Sequence, residues 1–133
     1  MGQWEPSGFV KLMGIKITSR SAERSESELL IREDLCNRRG VMHGGALMGW
    51  ADTMGGMTAS AALKDGERTA TIESKTNFFQ PIPRGDLARA VCTPLHSGRS
   101  TIVLQTNITR GDGKLAAIVT QTQIVLPAKS LAE

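Results

Sequence analysis

Hydrophobic and polar residues alternate in the first third of the chain with the period of two that is typical of strands. Residues 14–19 follow this pattern, and residues 26–33 predict a second strand because they hold Leu29, Leu30 and Ile31. The polar run between them predicts a turn, so we expect a hairpin. A short helix or turn is predicted over 5–13, where a proline lies near the start, and a polar loop is predicted over 34–42.

The longest apolar segment predicts a helix from about Gly45 to Leu63. Its apolar residues cover more than one side, which is typical of a buried helix. Lys64 and Gly66 predict its end, because a cation favours the last turn and a glycine commonly follows it. The segment is about as long as a membrane span. Its glycines, threonines and single aspartate argue against insertion, so no membrane association is expected.

Four more alternating segments follow the helix and predict a four-stranded antiparallel meander. Two of the links are short, and an Asp-Gly pair in one of them is typical of a hairpin, whereas Pro81 and Pro83 predict a longer turn. One sheet and one long helix predict a single α+β domain over residues 1–133, with the sheet wrapped around the central helix. The four strands are predicted over Thr69–Phe79, Leu87–Leu95, Ser100–Thr109 and Lys114–Leu126.

The composition is that of an ordinary globular protein, with 22% charged and 40% hydrophobic residues. Aromatic residues make up only 4% and the net charge is only +3, so a base-stacking or strongly basic surface for nucleic acid is not expected. Cys36 and Cys92 have no metal-binding spacing and the chain has only two histidines, so no metal site is expected. The isolated cysteines and the lack of a recognisable leader predict a cytoplasmic protein with reduced thiols.

A single charge on the apolar helix, Asp52, is the main candidate for chemistry. A carboxylate at such a position is costly unless something requires it. Three of its four neighbours on the helix are glycines, and each weakens the helix by about 0.8–1 kcal/mol relative to alanine. We interpret them as clearing space for a group that approaches the carboxylate. The three are Gly49, Gly55 and Gly56.

These features resemble the hotdog-fold acyl-CoA thioesterases of the phenylacetate-pathway (PaaI-like) type. The resemblance covers nearly the whole chain and is most specific in one block, where Asn37, Gly40, His43-Gly44-Gly45 and Asp52 agree in residue type and spacing. The later blocks mark the fold more than the chemistry. They are Asn77–Pro81, Gly85–Leu87, Ser97–Arg99 and Asp112–Lys114.

The resemblance implies hydrolysis of a coenzyme A thioester to a free acid and a free thiol, with no cofactor beyond the coenzyme A of the substrate. It also implies homodimers, commonly paired into homotetramers, in which one subunit supplies Asp52 and the other supplies the His-Gly-Gly loop. Asp52 would act either as a nucleophile or as the base that activates water, and the sequence leaves both roles open. His43, Asn37 and Thr71 match family residues that orient the thioester, the attacking group and the water.

The attacked thioester carbonyl becomes an oxyanion, and the unpaired N–H groups at a helix start suit that charge. We therefore predict that Gly44 N–H is the oxyanion donor, with Gly45 beside it in the substrate site. The phosphates of coenzyme A need a basic rim, for which Arg84 and the turn containing Gly98 and Arg99 are candidates. Lys114, Arg38 and Arg39 are further candidates. The residues predicted to line the acyl pocket are Met48, Trp50, Met54 and Phe78.

Two other functions are compatible with a hotdog fold. Dehydratases and hydratases of this fold act on acyl thioesters without cleaving them, but they resemble a different pattern, in which a histidine precedes Pro-Gly. A non-hydrolytic acyl-CoA sensor is the other alternative, although no DNA-binding segment is visible and Asp52 is retained. Sequence patterns of serine esterases, Walker-type nucleotide sites and dinucleotide sites are absent. The acyl group stays open among aryl, hydroxyaryl, short and medium chains.

Overall fold

Two helices and six strands make up the computed structural model, which describes residues 4–129. A single turn of 3-10 helix, Glu33–Leu35, lies between the second strand and the second helix. The elements in chain order are α1 (Gly8–Met13), β1 (Lys16–Ser19), β2 (Ser25–Leu30), α2 (Gly44–Ser60), β3 (Arg68–Phe78), β4 (Leu87–Ser97), β5 (Thr101–Thr109) and β6 (Leu115–Leu126).

The six strands form one antiparallel sheet in the order β1-β2-β4-β5-β6-β3. The predicted hairpin of β1 and β2 is confirmed, but the predicted four-stranded meander is wrong in one respect. Of the four strands predicted for the meander, only β4, β5 and β6 pair in sequence order, whereas β3 pairs with β6 at the edge and β4 pairs with β2.

The segment 79–86 causes this difference, because it carries the chain from the outer edge of the sheet across to β2. Met42 N–H donates to Ile82 C=O, and Gly85 N–H donates to Ile31 C=O. Pro81 and Pro83 keep the segment out of a tight hairpin, since their rings fix the backbone and remove two N–H donors. The crossing therefore contacts both the loop before α2 and the end of β2.

The helix α2 packs against β2, β3, β4, β5 and β6, so the predicted sheet wrapped around one helix is confirmed. Its side chains Trp50, Met54 and Met57 are buried in the core. Trp50 Nε1 donates a hydrogen bond to Ser27 Oγ at 2.9 Å, which satisfies the one polar group of this large side chain. In residues 4–129, no helix combines the length and the hydropathy that crossing a bilayer requires.

The end of α2 differs from the prediction. The helix ends at Ser60, and Gly66, with φ of 81°, belongs to a separate turn after it. The cation at the last turn is Arg20 instead of Lys64. Its guanidinium donates to Met57 C=O at 3.2 Å and to Ser60 Oγ at 3.0 Å. Partial burial lowers the pKa of Arg20 from its ordinary value. A residue from the loop after β1 thus stabilises the carboxyl end of α2.

Candidate active site

A network of three polar side chains lies beside Asp52 on the face of α2 towards β3 and β6. Thr71 Oγ1 donates to Asp52 Oδ1 at 2.7 Å, and Gln121 Nε2 donates to the same oxygen at 3.0 Å. Gln123 Nε2 donates to Thr71 Oγ1 at 2.6 Å. Asp52 itself is exposed, and its Oδ2 accepts no hydrogen bond from residues 4–129. The structure therefore brings Asp52 and Thr71 together and leaves one carboxylate oxygen open.

Sequence reasoning missed the two glutamines. Gln121 and Gln123 are each only 1% exposed, and they share with Val119 the face of β6 that points to the helix. The available signal was a pair of polar residues in the core-facing positions of a strand that is otherwise apolar on that face. Such a placement is unfavourable unless the polar groups are hydrogen-bonded, and here the bonds lead to Thr71 and Asp52.

The glycines near Asp52 have three different surroundings, and the interpretation that all of them clear space for a group approaching the carboxylate is wrong for Gly49. A Cβ added to Gly55 would overlap Gln121 Oε1, and a Cβ added to Gly49 would lie 2.9 Å from Phe9 Cζ. These two glycines make room for side chains of their own chain. Gly56 has nothing within 4 Å of an added Cβ, so it alone leaves open space beside Asp52.

The His-Gly-Gly segment forms the start of α2. His43 is the N-cap, and its Nδ1 accepts a hydrogen bond from Gly45 N–H at 2.8 Å. This bond makes Nδ1 the acceptor and leaves the proton of a neutral ring on Nε2. Gly44 N–H has no hydrogen-bond acceptor within the described part of the chain. It lies at the positive end of the helix dipole, so it can donate to a bound anion.

Asn37 has a structural function in the loop before His43. Its Oδ1 accepts hydrogen bonds from Arg39 N–H at 2.9 Å and from Val41 N–H at 3.5 Å. The Asn37 backbone N–H donates to Val41 C=O, which closes the same turn. His43 N–H donates to Leu35 C=O, so this turn is attached directly to the start of α2. Asn37 therefore shapes the loop that carries His43.

The basic candidates lie at opposite ends of α2. Arg84 N–H donates to Gly40 C=O near the helix start, and its side chain pairs with Glu33 at 3.6 Å. Gly98 and Arg99 line a cleft of about 290 Å³ beyond the helix end. The helix has 17 residues and a length of about 25 Å. One protomer therefore does not bring Arg84 and Arg99 together.

Two clefts with mainly apolar walls flank the start of α2. One of about 290 Å³ includes Leu47, Phe78 and Phe79, and another of about 370 Å³ includes Phe9 and Gly45. Of the residues predicted for an acyl pocket, Met48 and Phe78 are exposed and available, whereas Trp50 and Met54 are fully buried core residues. Residues 4–129 contain no group of three or more His, Cys, Asp or Glu side chains able to hold a metal ion.

Comparison with known proteins agrees with this arrangement. Residues 39–117 match the model of the Thioesterase superfamily. The thioesterase HI1161 of Haemophilus influenzae is 25% identical, with a TM-score of 0.86 over 94% of this chain and 87% of that one. The PaaI protein of the E. coli phenylacetic acid degradation operon has the same fold, with a TM-score of 0.84, 21% identity and coverage of 92% and 87%.

A further relative is also named a thioesterase. The proofreading thioesterase EntH of Cronobacter turicensis is 28% identical over 93 residues, which are 70% of this chain and 67% of that protein. The family match spans more than half of the chain, and the sheet order and the helix agree with the hotdog fold of these neighbours. The chain therefore belongs to the Thioesterase superfamily and has the hotdog fold.

Proposed function

We propose that this chain hydrolyses an acyl-coenzyme A thioester at a site shared between two copies of the chain. One observation carries the proposal: the candidate catalytic groups are divided along α2. Asp52 and Gly44 N–H are eight residues apart, which is about 12 Å along a helix. A reacting carbonyl needs both groups within about 3 Å. A second copy, related by a twofold axis, supplies the missing group to each carboxylate.

The free edge of β3 supports such a pair. This strand lies at the end of the sheet, is 11 residues long and exposes most of its side chains. Ile72 is 58% exposed and Phe78 is 55% exposed. A long edge strand with unpaired backbone groups and apolar side chains favours pairing with another strand. A second β3 is therefore the partner that we propose for this edge.

The direction of β3 relative to α2 supports a site divided between two copies. Thr71 lies beside Asp52, whereas Phe78 Cζ would lie 3.3 Å from a Cβ on Gly44. When two β3 strands pair antiparallel about Lys75, the bulge at 71–73 brings Thr71 of one copy opposite Phe78 of the other, on the face towards the helices. Asp52 of the first copy is then directed towards Gly44 of the second.

The proposed reaction consumes one water and forms a carboxylic acid and the free thiol of coenzyme A. Asp52 Oδ2 either attacks the carbonyl carbon and expels the thiolate, after which water hydrolyses the anhydride, or takes a proton from a water that attacks the same carbon. In both routes the carbonyl oxygen becomes negative and Gly44 N–H of the second copy stabilises it. The departing thiolate takes up a proton from solvent.

The same twofold arrangement supports a binding site for coenzyme A. The end of α2 near Arg99 in one copy lies level with the loop that holds Arg84 in the other, because the two helices run in opposite directions. Two guanidinium groups from two copies would then suit the phosphates of coenzyme A. The apolar cleft lined by Leu47, Phe78 and Phe79 opens beside Gly44 and would take the acyl group.

The first test measures thiol release from a panel of aryl, hydroxyaryl, short-chain and medium-chain acyl-CoA esters. We expect the wild type to cleave members of the panel, and Asp52→Asn to lower kcat by several powers of ten while the oligomer stays intact. Undiminished kcat in a folded Asp52→Asn protein would remove Asp52 from the mechanism. Binding of an ester without cleavage would favour a sensor, and a change in enoyl absorbance without thiol release would favour a hydratase.

The second test asks whether the site is shared. Gly44→Pro removes the proposed donor, and His43, with ψ of 133°, already has the backbone conformation that a following proline requires. Gly44→Ala is the matched control, since it adds a Cβ but keeps the N–H. We expect Gly44→Pro to reduce kcat by about 10²–10³ relative to Gly44→Ala.

Mixed dimers then distinguish a shared site from a site within one chain. Asp52→Asn and Gly44→Pro chains carrying different tags are co-expressed, and the doubly tagged dimer is purified. It contains one site with both defects and one site with neither, so we expect about half of the wild-type kcat per dimer. A mixed dimer as inactive as its parents would show that both groups must lie in the same chain.

A further inference from the structure

Two buried carboxamides behind Asp52 are not used by the mechanism above. Gln121 Nε2 bonds to Asp52, but Gln121 Oε1 is buried and has no hydrogen-bond partner among residues 4–129. Gln123 Nε2 bonds to Thr71 Oγ1, and both glutamines are 1% exposed. A buried polar atom without a partner lowers stability. Apolar side chains of the same size would fill the same space without that penalty.

We propose that Gln121 and Gln123 are positioning residues that hold Asp52 Oδ1 and thereby leave Oδ2 as the single reactive oxygen. This inference rests on the proposed thioester hydrolysis, because it assigns the orientation of the carboxylate in that reaction. The glutamines touch neither substrate nor reacting atoms, and they act only through Asp52 and Thr71.

The orientation of Gln121 follows from its neighbours. Its Oε1 lies against the Cα of Gly55, where a Cβ would overlap it, so the amide oxygen is directed away from Asp52. The reversed amide would place Oε1 beside the carboxylate, where the two oxygens would repel each other. Gln121 therefore donates to Asp52 and cannot compete with it as an acceptor.

The orientation of Thr71 follows from Gln123. A hydroxyl group has one proton and can accept hydrogen bonds as well. Because Gln123 Nε2 donates to Thr71 Oγ1 at 2.6 Å, the Thr71 proton is directed to Asp52 Oδ1 at 2.7 Å. Oδ1 then receives two hydrogen bonds, one from Thr71 and one from Gln121. Rotation of the carboxylate would break both, so Oδ2 stays directed away from the sheet.

The test replaces each glutamine by methionine, which has a similar shape and no amide. We expect Gln121→Met to lower kcat by about tenfold, the effect of one hydrogen bond to a charged group, and to leave KM unchanged. Gln123→Met should lower kcat by about threefold to tenfold, because it acts through one further hydroxyl. Gln105→Met is the matched control. Gln105 lies on β5 between Leu104 and Thr106, which face the core, so its side chain points to the other face of the sheet.

Double-mutant cycles separate positioning from a general loss of structure. In an Asp52→Ala background, Gln121→Met should have no further effect on residual kcat. In a Thr71→Val background, Gln123→Met should have none. A structural role would reduce kcat by the same factor in every background, and that result would overturn the inference. So would a normal kcat in either glutamine variant.

Two measurements keep the outcome unambiguous. Thermal unfolding followed by circular dichroism identifies a variant that does not fold, and if Gln121→Met is such a variant, the Gln123 cycle decides the question alone. If the wild type releases no thiol from any acyl-CoA, the proposed function and this inference both fail. If the wild type is active and the cycles show no coupling, only the inference fails.

Discussion

Gly55 and Gly56 are neighbours in α2, yet the structure gives opposite predictions for replacing each by alanine. A Cβ on Gly56 meets nothing within 4 Å, so Gly56→Ala should gain the helix propensity of alanine, about 0.8–1 kcal/mol. A Cβ on Gly55 would overlap Gln121 Oε1, which is wedged between the helix and β6. In Gly55→Ala, the gain in helix propensity is therefore opposed by the steric overlap between the new Cβ and Gln121.

The size of the Gly55→Ala effect follows from three contributions. Alanine favours the helix by about 1 kcal/mol, while overpacking costs about 1–3 kcal/mol. Displacing Gln121 also breaks its hydrogen bond to Asp52, which contributes about 1 kcal/mol at this exposed carboxylate. Gly55→Ala should therefore be destabilised by about 1–3 kcal/mol, and should lie about 2–4 kcal/mol below Gly56→Ala.

Urea unfolding of the wild type and the two variants, followed by circular dichroism, measures this difference. Light scattering on the same samples reports the assembly state, so that an effect on association is seen separately. The expected gap corresponds to a difference in Tm of roughly 6–16 °C for a chain of this size. A Gly55→Ala protein as stable as Gly56→Ala would refute the reasoning, because it would mean that Gln121 can leave this position at no cost.

Three further predictions concern the arginines proposed to bind coenzyme A, the buried thiol of Cys92 and the edge strand β3. Replacing Arg84 and Arg99 together by alanine should raise KM for acyl-CoA more than it lowers kcat, because the proposed role of both guanidinium groups is to bind the phosphates of coenzyme A. An unchanged KM at low salt would contradict that role. Burial raises the pKa of the Cys92 thiol from its ordinary value, so the unfolded chain loses this proton first. The free energy of unfolding should then fall as pH rises above about 8.5, by at most about 1.4 kcal/mol per pH unit. A Cys92→Ala protein with the same slope would argue against this origin. Lys75→Cys chains should form a disulfide across paired β3 strands, whereas cysteines on β1 should not, and a cross-link at another position would correct the proposed register.

The candidate acid could be identified from the sequence because it interrupts a locally apolar pattern. Asp52 is the one charge on an apolar helix, and His43 followed by two glycines indicates the helix start. Both features depend on residues that are close in sequence, so a local reading is sufficient. Thr71 was found through the family resemblance, and the structure places its hydroxyl 2.7 Å from Asp52.

The features that were missed depend on contacts between distant parts of the chain. Gln121 and Gln123 are polar residues in an ordinary strand until the fold places them behind Asp52, 69 residues from Gln121 in sequence. The carboxyl end of α2 is stabilised by Arg20, which lies 40 residues upstream of Ser60. The pairing of β3 with β6 depends on the crossing segment 79–86, whereas a pattern of alternation alone predicts only that neighbours in sequence pair.

The spacing of eight residues between Gly44 and Asp52 has a kinetic consequence in the proposed assembly. A lone chain carries two complementary half-sites and no complete one. At concentrations below the dissociation constant of the pair, the rate of hydrolysis should therefore rise with the square of the amount of chain, and specific activity should fall on dilution. Such an enzyme would spare its thioester pool while its expression is low, and would respond steeply once enough chains have accumulated.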